Sequence, residues 1–443
     1  MTQAYVEDFT TTADGGAAAE PAWLAEARAQ AMARFEAVGF PSTRGEDWRY
    51  TSVAPIAEAD FRALRSASGE VTAGQIAPYT FGHPEWPTLV FVNGRCAPEL
   101  SSVGALPRGV RVLPLAQALR EEPALVERYL TRIAGSEQPA QAFTALNTAL
   151  MQDGAVVLVG REARADQPIH LVYATDAYAA RGAAHLRNLI VAERHAEATV
   201  IESYLGTGEA TYFTNVVTEV EVEAGATLRH YKVQRESPRA YHVGTVEARQ
   251  ERDSHYVSFS FATGAALSRT NVYTVLAGEG CGATLNGLYM VDGDQHVDHQ
   301  TRIEHAQPNC FSREVYKGVL DGASHAVFNG KVYVHPIAQK TDGKQSNNNL
   351  LLSDRAHVDT KPQLEIFADD VKCTHGAAIG QLDEDAVFYL RARGLTYLEA
   401  RDMLIHAFAG DILDRVKIES LRVALEKELY AQLARDLAEM DGV

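Results

Sequence analysis

Two stretches of this 443-residue chain bring together side chains that could bind metals or move protons. In KCTHGAAIG, Lys372 to Gly380, Cys373 precedes His375 by two residues. Side chains two apart share one face of an extended chain, so this thiol and imidazole are expected to point the same way. Such a pair can hold a metal or begin nucleophilic chemistry. The competing interpretation is a packed cysteine beside a hydrogen-bonded histidine, since free cysteine is commonly buried and inert. In DGDQHVDHQTRIEH, strand parity puts His296, Asp298, Gln300, Arg302 and Glu304 on one face. Val297, His299, Thr301, Ile303 and His305 fall on the other. The first face has metal-ligand types, but a ladder of hydrogen bonds and ion pairs is favoured, because sheet faces commonly carry one. The second face suggests core, with His299 and His305 satisfied inside it.

Other chemistries are bounded by what the sequence lacks. Its four cysteines, Cys96, Cys281, Cys310 and Cys373, are far apart and form no CxxC, so no zinc ribbon or resident iron–sulfur motif is indicated. There is no GxxxxGKS/T to cradle a nucleotide phosphate, no GxSxG elbow and no HExxH. A net charge of -17 argues against a nucleic-acid partner, whose affinity comes largely from neutralised phosphates. No apolar run is long enough to span a bilayer, and the acidic N-terminus lacks the features of a secretory signal. A cytoplasmic location is therefore expected.

The elements that must position the two stretches are mostly strands. From Ala155 onward, short runs such as AVVLVG, IHLVYAT, ATLRHYKV and ATLNGLYMV follow one another between Gly, Asp and Asn turns. Thr199, Thr227, His255 and Thr284 recur in similar surroundings at intervals of about 28 residues. Turns feeding strands at a steady period predict stacked coils. The expected fold is mainly β: a right-handed β-helix, or β-solenoid, over residues 155–382, with a large antiparallel sandwich or barrel as the alternative. Residues 1–20 suggest a flexible lead-in and residues 21–154 a largely helical domain. That domain has helices expected over Pro21–Gly39, Pro123–Ile133 and Pro139–Met151, and a tight turn at Asn93-Gly94. Residues 383–443 predict a C-terminal helical domain, with Gly394 as a stop and Thr396/Glu399 as a capping box. Leu398, Met403, Leu404, Ala407 and Phe408 form an apolar stripe there, and a helical unit covering the open solenoid end is expected. A β-helix with these features also suits a polysaccharide-active enzyme, although no carboxylate pair points to one.

The stretch from Lys340 to Leu395, beginning KTDGKQSNNNLLLSDRAHVDTKPQLEIF and continuing through KCTHG, resembles the C-terminal core of the SufB/SufD family. These are the paired scaffolds of SUF iron–sulfur cluster assembly. GFPSTRGEDWRYT, Gly39 to Thr51, resembles a motif near the start of the SufD branch. The resemblance implies a β-helix between helical domains and a non-catalytic scaffold. SufB is the implied partner through the β-helix strands, and the SufC ATPase through the C-terminal helices. Asn347 stands where SufB carries a sulfur-accepting cysteine, and Gly376 where SufB carries a glutamate. The SufD-type pattern is thus the nearer; a SufB-like scaffold acting alone is the alternative. By the same resemblance His375, and less directly Cys373, would contact iron or a nascent cluster shared transiently with SufB, with no nucleotide bound by this chain. Leu395, Met403, Phe408 and Ile412 would dock SufC. A homodimer of the isolated chain and a heterodimer are both compatible with the sequence.

Overall fold

The computed structural model describes residues 3–14, 20–64, 69–134 and 141–440. Its centre is a β-solenoid of about 8 turns, with helices at both chain ends. Consecutive strands alternate between two ten-stranded sheets, one ending in His357–Ile366 and the other in Lys372–Gln381. Neighbours along each sheet are parallel and in register, except where Val110–Pro114 meets Ala155–Val159 and Arg95–Cys96 meets Thr88–Val92. The latter is a hairpin turning at Asn93 and Gly94, whose φ values of 50 and 82° suit that dipeptide. Strands therefore join the solenoid sheets from Arg62, Thr88 and Val110, well before residue 155. The expected repeat is real but shifted. Thr227 sits over His255, whereas Thr199 pairs with Arg229 and Thr284 with Val257, two residues from the sequence alignment. A slip of two preserves the face, so the core pattern survives it.

The solenoid interior mixes apolar and buried polar side chains from its early turns, where Tyr204 Oη donates to Glu202 and Tyr173 Oη to Asn188. Phe91, Tyr173 and Tyr204 stack with ring centroids 5.0 and 4.8 Å apart. His299 stacks on Tyr289 at 5.1 Å, and His305 Nε2 lies 3.0 Å from Ser312 Oγ. Both are buried in the core, as strand parity predicts, but only Nε2 of each ring has a partner, and Nδ1 is left without one among the described residues. The opposite face of the same strand is an ion-pair ladder under cover. Arg269 Nη1 donates to Asp298 Oδ2 at 2.6 Å, with both residues buried. The Gly39–Thr51 motif forms the lid: the Trp48 ring lies 3.6 Å from the Arg269 guanidinium carbon, and Thr51 Oγ1 donates to Asp298 Oδ2.

Both helical domains lie along sheet faces. The helices Ala22–Val38 and Ala142–Leu150 pack with Phe40 and Tyr5 against Phe213, Val243 and Leu267 of the first sheet. Glu219 pins this contact, accepting from Arg187 Nη2 at 2.6 Å and from the backbone N–H of Thr131 and Ile133. Tyr5 belongs to a helix, Gln3–Asp14, within the expected lead-in, because burying its ring ties that segment down; residues 1–2 and 15–19 lie outside the described residues. Expected helices appear as Ala22–Val38, Pro123–Tyr129 and Ala142–Leu150, with residues 139–140 outside the described residues. At the other end, the helix Tyr397–Leu413 buries Ile405, Ala409, Ile412 and Leu413. The helix Glu419–Met440 buries Leu421, Leu425, Leu429 and Leu433, spaced by four. Both press on Tyr231, Phe259, Leu288 and Val319 of the second sheet. The C-terminal helices thus run along a flank instead of covering the solenoid end, because the outward apolar side chains of the second sheet offer a larger surface to bury. Among the described residues, the two terminal strands have sheet neighbours on one side only. No described helix is long and apolar enough to cross a membrane.

Candidate functional site

The open end is made by Lys372–Gln381, a strand exposed at nearly every position. Cys373 and His375 share its inward-facing side, and the structure separates their environments. Cys373 is half-buried and packs with Val332, Val334 and Ala338. Burial raises its thiol above the ordinary value, opposed by the backbone N–H of Gly343 and reinforced by Asp342. A thiol held in its protonated form is a poor ligand. His375 is exposed, and its imidazole is available to an incoming ion or cluster. Packing distinguishes the pair: the cysteine is half-buried, while the histidine is exposed.

Beneath His375, the register places Gln345 in the next strand and Glu314 in the one after. Gln345 Nε2 donates to Glu314 Oε2 at 2.6 Å. Burial pushes the Glu314 carboxyl up to about 7, against smaller opposing hydrogen bonds from Gln345 and Thr301. This column carries a protonatable group into the solenoid directly behind the presented histidine. Neither Gln345 nor Glu314 stands out in sequence, since only the strand register aligns them with His375. Asn347 is fully buried, its Nδ2 donating to Tyr289 Oη at 3.0 Å and to the Tyr316 carbonyl at 3.3 Å. Its neutral amide is thereby locked in the solenoid interior. Gly376 faces open space, with nothing within 4 Å of an added Cβ, so its lack of a side chain leaves that flank bare.

The four residues expected to form a docking surface do not share one environment. Met403 is half exposed at 50%, and Leu395 and Phe408 are partly buried. Lys317 Nζ lies 4.6 Å from the Phe408 ring and donates to the Phe408 carbonyl at 2.7 Å. Ile412 is wholly buried in the contact with the second sheet and cannot dock anything, because the helix turns that face inward. Among the described side chains of the C-terminal helices, the exposed large apolar ones are instead Phe388, Tyr389, Tyr397, Met403 and Tyr430. Phe388, 73% exposed, went unremarked in the sequence because it lies on a different helix from the apolar stripe.

Comparison with known proteins places this architecture. A family model described as the SUF system FeS cluster assembly SufBD core domain matches residues 145–408, and one for the SufBD protein N-terminal region matches residues 1–171. The chain is 34% identical over 395 residues to an iron–sulfur cluster assembly SufBD family protein of Synechocystis, covering 87% of this chain and 86% of that one. It is 33% identical over 386 residues to the iron–sulfur cluster assembly protein SufD of Escherichia coli, covering 87% of each. With SufD of Bacillus subtilis it shares 27% identity over 420 residues, 92% of this chain and 93% of that one. The two-sheet solenoid, its flanking helices and these matches together mean that the chain belongs to the SufBD family of iron–sulfur cluster assembly proteins.

Proposed function

We propose that the chain is a SufD-type scaffold subunit that builds nascent iron–sulfur clusters together with a SufB-type partner, while a SufC-type ATPase supplies ATP hydrolysis. The observation that carries this is an open solenoid end whose terminal strand, Lys372–Gln381, presents the exposed imidazole of His375 beside an unpaired edge. Unpaired strand edges invite strands from another chain. A cluster needs several ligands, commonly thiolates. With Cys373 packed, Asn347 buried as an amide and Gly376 bare, the remaining ligands come from the partner across that edge. His375 would then contribute one ligand to iron or cluster as cargo, and Cys373 at most a subsidiary one. Phe388, Tyr389, Tyr397 and Met403 offer the ATPase an apolar surface, replacing the set that included Ile412.

Co-expression with SufB- and SufC-type proteins tests this reading. A stable complex containing all three is expected. Ile379→Asp on the terminal strand, 48% exposed, should remove the SufB-type partner while the chain stays folded. A chain that purifies alone under these conditions would overturn the assignment.

A further inference from the structure

The other terminal strand carries a second group of ligand side chains, on the outer face of the first sheet. His296, His325 and His357 occupy one register position in three successive parallel strands. The first of them is capped: His296 Nε2 lies 2.9 Å from Thr51 Oγ1, beneath the Gly39–Thr51 lid. The lid also reaches the terminal strand, where Glu46 pairs with Lys361, and the next two histidines share a carboxylate. Asp359 lies two residues after His357 on the same strand and face, with its Oδ2 2.9 Å from His325 Nε2 and 3.5 Å from His357 Nε2. The two rings have centroids 5.2 Å apart. One potential ligand atom from each residue lies within 4.8 Å of the others.

We propose that His325, His357 and Asp359 bind a divalent first-row transition-metal ion. Metal–nitrogen and metal–oxygen bonds of about 2.0–2.2 Å put neighbouring ligand atoms roughly 3.3 Å apart. The two imidazole–carboxylate separations already bracket that spacing, so closure around an ion needs only side-chain rotation. His357, exposed on the terminal strand, is free to make it, whereas His325 and Asp359 are partly buried and held. Two imidazoles and one carboxylate on one side of an ion form a set suited to iron(II), cobalt(II) or zinc(II), with positions left open toward solvent. Adjacent Asp298 does not compete for the ion, since Arg269 and Thr51 engage it. The site lies on the opposite sheet from His375 and does not depend on the scaffold assignment.

Anaerobic titration of the purified full-length chain with cobalt(II), followed by visible absorption, tests the site. One tightly bound ion per chain is expected, without sulfur-to-cobalt charge transfer in the near ultraviolet. His357→Ala and Asp359→Asn should each weaken binding at least tenfold, while His375→Ala should leave it unchanged. Since His357 is exposed, circular dichroism of H357A should match that of the parent chain. Undiminished binding in both H357A and D359N would overturn the proposal. So would the absence of tight binding by the parent chain, or a thiolate charge-transfer band marking a cysteine ligand.

Discussion

Replacing Glu314 by glutamine is expected to stabilise the protein above neutral pH and to change little below about pH 4.5, the carboxyl's ordinary value. The folded-state carboxyl is raised to about 7, first by burial and despite hydrogen bonds from Gln345 and Thr301. Below pH 4.5 the side chain is protonated whether the chain is folded or not, and contributes no pH dependence. Between pH 4.5 and about 7 the unfolded chain releases a proton that the folded chain keeps, so stability falls as pH rises. Above that window the full cost remains. Raising the carboxyl from 4.5 to about 7, at about 1.4 kcal/mol per pH unit, gives about 3–4 kcal/mol at pH 8. Glutamine is nearly isosteric and cannot ionise. Its carbonyl can accept from Gln345 as Glu314 Oε2 does, and its amide can donate to the Thr301 hydroxyl in place of the contact that the carboxylate makes there. Urea midpoints of parent and E314Q, measured from acid to alkaline pH, give the readout. Equal slopes with midpoints that diverge only as pH rises through neutrality would support the argument. Coincident midpoints at every pH, or a variant destabilised at pH 8, would refute it.

Three further perturbations separate core, surface and lid. Ile412→Ala should cost about 2–5 kcal/mol, seen in thermal unfolding, because it empties space between the C-terminal helix and the second sheet. Met403→Asp should leave the melting temperature nearly unchanged yet reduce co-purification of the SufC-type ATPase; unchanged capture would remove Met403 from the docking surface. Asp298→Ala strands Arg269 without its carboxylate beneath the lid, at a cost of about 3–5 kcal/mol. Faster limited proteolysis around Arg44 and Arg49 should accompany it, and an unchanged cleavage rate would show that the lid is held by other contacts.

The solenoid was legible because period-two burial writes itself into each strand: the split of His296–His305 into a polar outer and a packed inner row is what the structure has. Register was less legible. A two-residue slip keeps the same face toward the core, so hydrophobic pattern alone could not choose between Thr199 and Glu197 as the neighbour of Thr227. The same limit hid the stacking of Glu314, Gln345 and His375, which are far apart in sequence and meet only through that register. Placement of the C-terminal helices was misread for a related reason. Their apolar residues show that something is buried, but the choice between covering an end and lying on a flank depends on the outward side chains of distant strands such as Phe259 and Leu288. Ile412 went to the wrong side on that account. For KCTHG, alternation correctly paired Cys373 with His375, and only packing could say which of them is presented.

The central claim is that His375 supplies one part of a cluster site completed by another chain. Reconstituted SufB–SufC–SufD-type complex, assembled with this chain or with H375A, should be supplied with iron, sulfide source and ATP, and its cluster yield read by absorption and Mössbauer spectroscopy. An intact complex with little or no cluster in H375A is the predicted result. A normal cluster yield from an intact H375A complex would contradict the account.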